Sequence, residues 1–173
     1  MTSLDTTPHG TTDSFDPPLP PPTPELRMAK PEHFQAAGPD DFTPISGYGL
    51  EVRTLGIAKL TGGAVGAKIF RARKTPAQPG EEISHTTPWH MHDWGFQMAY
   101  VIKGWAEYEF EGVGNLRFEE GMSIYQLPHN RHRELGASED FEVIEVTWPA
   151  ETTITALMYD NEKGEYAAVR YED

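Results

Sequence analysis

From residue 49 onward, apolar and polar positions alternate in short runs broken by turn residues. Segments 50–60 (LEVRTLGIAKL) and 65–73 (VGAKIFRAR) flank Thr61-Gly62-Gly63, which predicts a hairpin. Further strands are predicted at 84–92, 96–103, 105–112, 115–119, 122–127, 132–135 and 141–148. Gly95, Gly104, Gly112, Gly114, Gly121 and Pro128 punctuate them. Many short strands at this spacing predict an all-β fold, a single antiparallel barrel or jelly roll, and no long segment keeps a helical period. Residues 153–171 read as one more hairpin around Asp160–Gly164, with a short helix at 155–159 as the alternative.

Two strands say more than the rest. In 105–111, Ala106, Tyr108 and Phe110 alternate with Trp105, Glu107, Glu109 and Glu111, giving one apolar face and one mostly wet face. In 96–102, Gln97, Ala99 and Val101 share one face while Phe96, Met98, Tyr100 and Ile102 share the other, so both faces read as buried. An outer face that apolar requires cover from another sheet, the terminal segments or a second subunit, and a homodimer is the expected arrangement.

Proline divides the chain. Ten of the 15 prolines fall in the first 44 residues, concentrated in DPPLPPPTPE at 16–25. Each fixes φ and lacks an N–H, and the surrounding Thr, Ser and Asp offer little apolar surface to offset ordering entropy. Residues 1–24 are therefore read as a disordered arm, a spacer or frayed end. Residues 25–48 are a lead-in that Phe34, Phe42 and Ile45 can pin, 49–150 the barrel, and 151–173 a C-terminal extension packing on it.

Charge and composition narrow the function. The 173 residues carry 14 Lys+Arg against 27 Asp+Glu, a formal net charge of −13, which disfavours nucleic acid and an anionic membrane surface as partners. With no cysteine, disulfides, thiolate metal sites and Cys nucleophiles are excluded. No apolar run approaches a membrane span, and the N-terminus has no secretory pattern, so a cytoplasmic location is expected. Neither a Gly-rich phosphate loop nor a GxSxG nucleophile is present.

Five of the 7 histidines lie between residues 85 and 132. His90 and His92 are two apart, so on a strand they point to one side and can share a metal ion. Gln97 follows beyond the Asp93-Trp94-Gly95 turn, and a later strand can bring His132 alongside. Imidazole suits Zn, Ni, Mn, Fe or Cu, and an amide oxygen is a compatible fourth donor. A His-x-His pair by itself is also found on surfaces and in hydrogen-bonded cores.

Segment 88–104, PWHMHDWGFQMAYVIKG, resembles the first motif of the cupin superfamily, with His90, His92 and Gly104 in register and Gln97 where Glu is usual. Segment 121–133, GMSIYQLPHNRHR, resembles the second motif, opened by Gly121 and carrying His132 as its metal-binding histidine. The short spacing between the motifs resembles that of small single-domain bacterial cupins. Ser84 replaces the first motif's opening Gly, His129 replaces a turn glycine and Gly136 replaces a terminal Asn. The resemblance implies a β-barrel whose metal ligands are His90, His92, Gln97 and His132, holding a divalent transition metal (Zn, Ni, Mn or Fe). Three neutral imidazoles and an amide leave the ion's charge at +2 and remove the carboxylate of the common non-haem iron site.

These features point to a metal-dependent enzyme acting on a small oxygenated organic substrate. The expected chemistry is redox-neutral (isomerase, cyclase or lyase), with the ion stabilising an enolate. An iron-dependent cupin dioxygenase and a non-catalytic small-molecule-binding module are the alternatives. Tyr125 and His129 are the candidate catalytic acid or base, provided that their side chains enter the barrel; otherwise Tyr125 is a barrel-wall aromatic and His129 a turn residue where Gly is usual. His85 reads as an ordinary polar strand residue, with a place at the barrel mouth as the alternative. Arg131 and Arg133 are expected to project away from His132 and pair with Glu134 or Glu119. Trp89, Trp94, Tyr100, Tyr108, Phe110 and Trp148 either line a pocket or pack the core.

Overall fold

The computed structural model describes residues 41–45, 48–76, 79–80 and 83–172. The arm at 1–24 and all but the end of the 25–48 lead-in, Phe34 included, lie outside the described residues. In chain order the elements are β1 (Thr43–Ile45), β2 (Leu50–Thr54), helix α1 (Ile57–Thr61), β3 (Gly66–Ala72), β4 (Trp89–His92), β5 (Phe96–Lys103) and β6 (Trp105–Phe110). They continue with β7 (Gly114–Glu119), β8 (Ser123–Gln126), β9 (His132–Ala137), β10 (Glu142–Trp148), β11 (Thr153–Asp160) and β12 (Glu165–Glu172). The strands form two six-stranded sheets, A in the order β1-β2-β3-β10-β5-β8 and B in the order β12-β11-β4-β9-β6-β7. Every pairing is antiparallel.

The strand pattern departs from its prediction at two places, and the hairpin reading of 153–171 is matched. β2 and β3 pair as the first hairpin, Leu50 opposite Ala72, but their connection contains the helical turn α1 rather than strand. Gly62, left-handed at φ 63°, closes that turn, and the Thr61 hydroxyl donates to the Ile57 carbonyl while accepting from the Val65 N–H. The strand predicted at 84–92 shrinks to Trp89–His92, because Pro88 has no N–H to give a ladder. At 153–160 the chain is strand, not helix, pairing with β12 on one side and β4 on the other. At the end of the lead-in, the Arg71 guanidinium lies 3.7 Å from the centroid of the Phe42 ring, and β1 pairs with β2.

The core fills the space between the sheets. On β5 the inward positions Gln97, Ala99 and Val101 are buried, with Val101 0% exposed. Ala72, Ala106, Tyr108, Ile124, Phe141 and Val143 complete the cluster. On the outer face of β5, Phe96, Tyr100 and Ile102 are each about 40% open to solvent in the single chain. No helix among the described residues is long and apolar enough to cross a membrane.

Gly104 makes the turn from β5 to β6 at φ 69°, and a Cβ there would collide with the Ser138 hydroxyl and lie 3.0 Å from the Phe141 backbone nitrogen. Gly104→Ala should therefore lower unfolding free energy by about 2 kcal/mol or more, read from the denaturant midpoint. An unchanged midpoint would contradict the packing described.

Candidate metal centre

Strand alternation and one cross-strand pair assemble the site. His90 and His92 occupy alternate positions of β4, and His90 stands directly opposite His132 on β9. The three rings converge, with centroids 5.0 Å apart for His90–His92, 4.3 Å for His90–His132 and 5.3 Å for His92–His132. One ligand atom from each lies within 4.8 Å of the others. Trp94 stacks on His92 at 4.4 Å and Phe110 on His132 at 5.6 Å, which holds both imidazole planes.

The ring nitrogens are poised for a cation. The Nδ1–H of His90 donates to the Pro88 carbonyl at 2.9 Å, and that of His132 to the Asn130 carbonyl at 3.0 Å. Those bonds fix the tautomer and leave each Nε2 lone pair for an ion. His92 Nδ1 is buried without a hydrogen-bond partner. Burial, reinforced by His90 and His132, pushes the His92 pKa down to about 2; burial and His90 also lower that of His132. Two of the three rings are thus held neutral, the form that ligates metal. An orphaned nitrogen beside two oriented ones fits a bound divalent ion, and His90, His92 and His132 can hold one.

The triad opens onto a cavity of about 230 Å³ between the sheets. Gln97 reaches it from sheet A, with its Nε2 donating to Glu145 Oε2 at 2.7 Å. Two carboxylates that sequence reasoning did not place there also line it, Glu134 and Glu145. Glu134 follows His132 by two on β9 and so shares its face; its Oε2 lies 3.9 Å from His90 Nε2 and accepts a short hydrogen bond from the Thr87 hydroxyl. Tyr108 sits directly across from Glu134 on β6. Burial, then the charges of Glu134 and Glu145, raise the Tyr108 pKa, so its phenol stays protonated.

The candidate acid–base residues lie elsewhere. Tyr125 is 57% exposed on the outer face of sheet A, because its neighbours Ile124 and Gln126 take the inward positions of β8. His129 sits in the turn before β9 at φ 58°, where its backbone N–H donates to the His92 carbonyl. Its ring is 64% exposed and contacts Asp93 at 3.2 Å, so the residue is a turn former rather than a cavity group. His85 does line the cavity, its Nδ1 buried and unpartnered. Arg131 and Arg133 project outward as expected, but pair with Glu111 and Glu109 at 2.7 Å each. The aromatic set divides: Trp94 and Tyr108 line the cavity, Phe110 backs His132, and Tyr100 and Trp148 face outward.

No family model matches the chain, and no curated protein matches it by sequence. Solved structures do share its fold. A protein with a double-stranded β-helix domain from Klebsiella pneumoniae matches with TM-score 0.51 and 17% identity, over 76% of this chain and 98% of that one. The polyketide cyclase RemF from Streptomyces resistomycificus matches with TM-score 0.51 and 16% identity, over 65% and 74%. KdgF from a Halomonas species gives TM-score 0.48 and 19% identity, over 63% and 87%.

The buried histidines set an acid limit on the metal-free protein. An unfolded histidine protonates near 6.5, whereas folded His92 does so only near 2. Between those values the unfolded chain binds more protons, so stability is full above pH 6.5 and is lost as pH falls below it. The Tm of chelator-treated protein should drop progressively from pH 7 to 5, and less so in His92→Ala. A flat profile in the wild type would contradict the burial of the triad.

Proposed function

We propose that this chain, which has the double-stranded β-helix fold of the cupins, is a metal-dependent enzyme carrying out redox-neutral isomerase, cyclase or lyase chemistry. Its substrate is a small enolisable, oxygenated organic molecule. The observation that carries this reading is the cross-strand pair Tyr108–Glu134 beside the histidine triad. A proton acceptor and a proton donor face one cavity, as proton relocation requires. His90, His92 and His132, with Gln97 as the further oxygen donor, would hold a divalent ion, which would supply Lewis acidity toward a carbonyl or enolate oxygen.

The chain's own groups do the rest. Thr87 fixes the Glu134 carboxylate from one side, which aims it into the cavity to take a proton from substrate carbon. Tyr108, neutral and buried, donates a hydrogen bond to the developing oxyanion, and Glu134 returns the abstracted proton to the neighbouring atom. The apolar walls, including Phe70, Ile124, Phe141 and Val143, hold the substrate's carbon body and exclude bulk water.

Elemental analysis of untagged protein and of a His90→Ala/His132→Ala variant is the first test, with stoichiometric Zn, Ni or Mn expected only in the wild type. Glu134→Gln should retain the metal while anaerobic turnover of an enolisable carbonyl substrate falls about 10²–10⁴-fold. Bound iron with stoichiometric O2 uptake would favour the dioxygenase instead. Wild type that binds no ion at micromolar concentration would leave a ligand-binding module.

We also propose that two copies pair through the outer face of sheet A. Phe96, Tyr100, Ile102, Tyr125 and Trp148 are between 39% and 57% exposed there. Register makes the patch continuous, with Trp148 beside Phe96, Tyr125 beside Met98 and Ile144 beside Tyr100. At about 200 Å² per large side chain, these five expose roughly 500 Å², the bulk of the ~800 Å² each partner contributes to a standard interface. The outward positions of 96–102, 123–125 and 144–148 carry no charge in a chain of net charge −13, so here two copies can meet without like-charge repulsion. Sedimentation velocity should give a dimer for the full chain and a folded monomer for Tyr100→Glu/Tyr125→Glu. A monomeric wild type, its patch covered by other residues of the same chain, would overturn the pairing.

A further inference from the structure

Gln97 and Glu145 form a partly buried pair that the proposed chemistry does not by itself explain. Gln97 is on β5 and Glu145 on β10, and the register sets Glu145 opposite Ala99, so the two side chains are diagonal neighbours on the inward face of sheet A. Gln97 is 5% exposed, and both residues line the cavity that the three histidines enter from sheet B. Gln126, also buried, is the direct neighbour of Gln97 on its other side.

We infer that Glu145 is a positioning residue, whose carboxylate holds the amide nitrogen of Gln97 and so makes the carboxamide oxygen the end available to a cation. The argument is one of hydrogen-bond polarity. A carboxamide has one end that only donates and one that only accepts, and the two are nearly equal in shape. A metal ion accepts the oxygen and rejects the nitrogen, so a freely rotating amide is a poor donor. An ionised carboxylate only accepts, so it selects the nitrogen, and the 2.7 Å bond from Nε2 to Glu145 commits that end. The negative charge that a glutamate at position 97 would bring into direct contact with the ion sits one hydrogen bond further out. Outer groups of this kind typically change metal affinity 10–100-fold.

This inference rests on the metal-centre reading of the same cavity, and its test separates the two. Zn²⁺ affinity is measured by competition with a chromogenic chelator for the wild type, Glu145→Gln, Gln97→Ala and the double variant. The His90→Ala/His132→Ala protein serves as the control for the centre itself. Glu145→Gln is nearly isosteric but can donate as well as accept, so the orientation of Gln97 is no longer dictated. It should lose about tenfold or more in affinity, Gln97→Ala should lose a similar amount, and the double variant should lose no more than the larger single loss. Losses that add would mean that the carboxylate acts by charge alone, which overturns the inference, as would an unchanged Glu145→Gln. A second readout needs no metal. In the metal-free wild type, one Gln97 side-chain amide proton should resonate downfield, as expected for a bond to a carboxylate, and shift upfield in Glu145→Gln. An unmoved resonance overturns the positioning role even if the centre binds metal. Failure of the wild type to bind Zn²⁺ with the amide signature intact would overturn the metal reading alone.

Discussion

The site depends on how β4 is fastened to β9. Their ladder contains one register pair, His90 opposite His132, so the contact that joins the strands also brings two motifs some 40 residues apart into one cluster. Two further bonds pin the ends of this short pairing. At one end the Thr87 N–H donates to the Glu134 carbonyl while the Thr87 hydroxyl accepts from the Glu134 N–H. At the other, the His129 N–H donates to the His92 carbonyl. A slip of one residue would turn both His132 and Glu134 out of the barrel, because side chains alternate with period two. His129 thus contributes through its backbone, in a left-handed turn that lets β9 start in register.

Placing this much polarity inside a small barrel is costly, and the structure meets most of the cost locally. The imidazole N–H groups of His90 and His132 are satisfied by carbonyls two residues earlier in the same strand or turn, so the candidate ligands carry their own orienting partners. Glu134 is held by Thr87, and Gln97 by Glu145. Among the buried side-chain groups without a hydrogen-bond partner, His92 Nδ1, His85 Nδ1 and the Trp94 indole N–H belong to residues lining the same cavity, whereas the Thr155 hydroxyl lies on β11 outside it. Each unsatisfied buried group costs about 1–3 kcal/mol, so their concentration at one place marks a region built for binding rather than for stability.

Much of this arrangement was legible in the sequence, and the misses share a cause. Spacing alone puts His90 and His92 on one face, and the likeness to the cupin motifs adds Gln97 and His132; all four reach the cavity. The apolar alternation in 105–110 correctly turns Tyr108 inward. Tyr125 was misplaced because polarity on β8 is inverted: the inward position next to it is Gln126, since that stretch faces a polar cavity, while the aromatic ring lies on the uncharged outer face. Glu134 escaped notice for the complementary reason. Two arginines nearby in sequence suggested a surface pair, although its spacing of two from His132 already fixed its side of the strand. Hydrophobicity reports burial only where the interior is apolar, and around a polar cavity strand parity is the safer guide.

Parity also revises the charge of the centre. Counting ligands along the sequence gives three neutral imidazoles and an amide, a set that leaves a divalent ion with its full charge. The folded chain brings Glu134 and Glu145 to the same cavity, each one step removed from a candidate ligand: Glu134 within 3.9 Å of His90 and Glu145 bonded to Gln97. Negative charge is therefore present without occupying a coordination position. Carboxylates in that outer position temper the field felt by a bound ligand, yet leave the ion's own Lewis acidity less quenched than direct ligation would. In the proposed chemistry Glu134 can exchange a proton with substrate, which a carboxylate committed to the ion would do poorly. That division of labour, neutral donors at the ion and acidic groups beside it, is the physical ground for favouring proton relocation over oxygen activation at this centre.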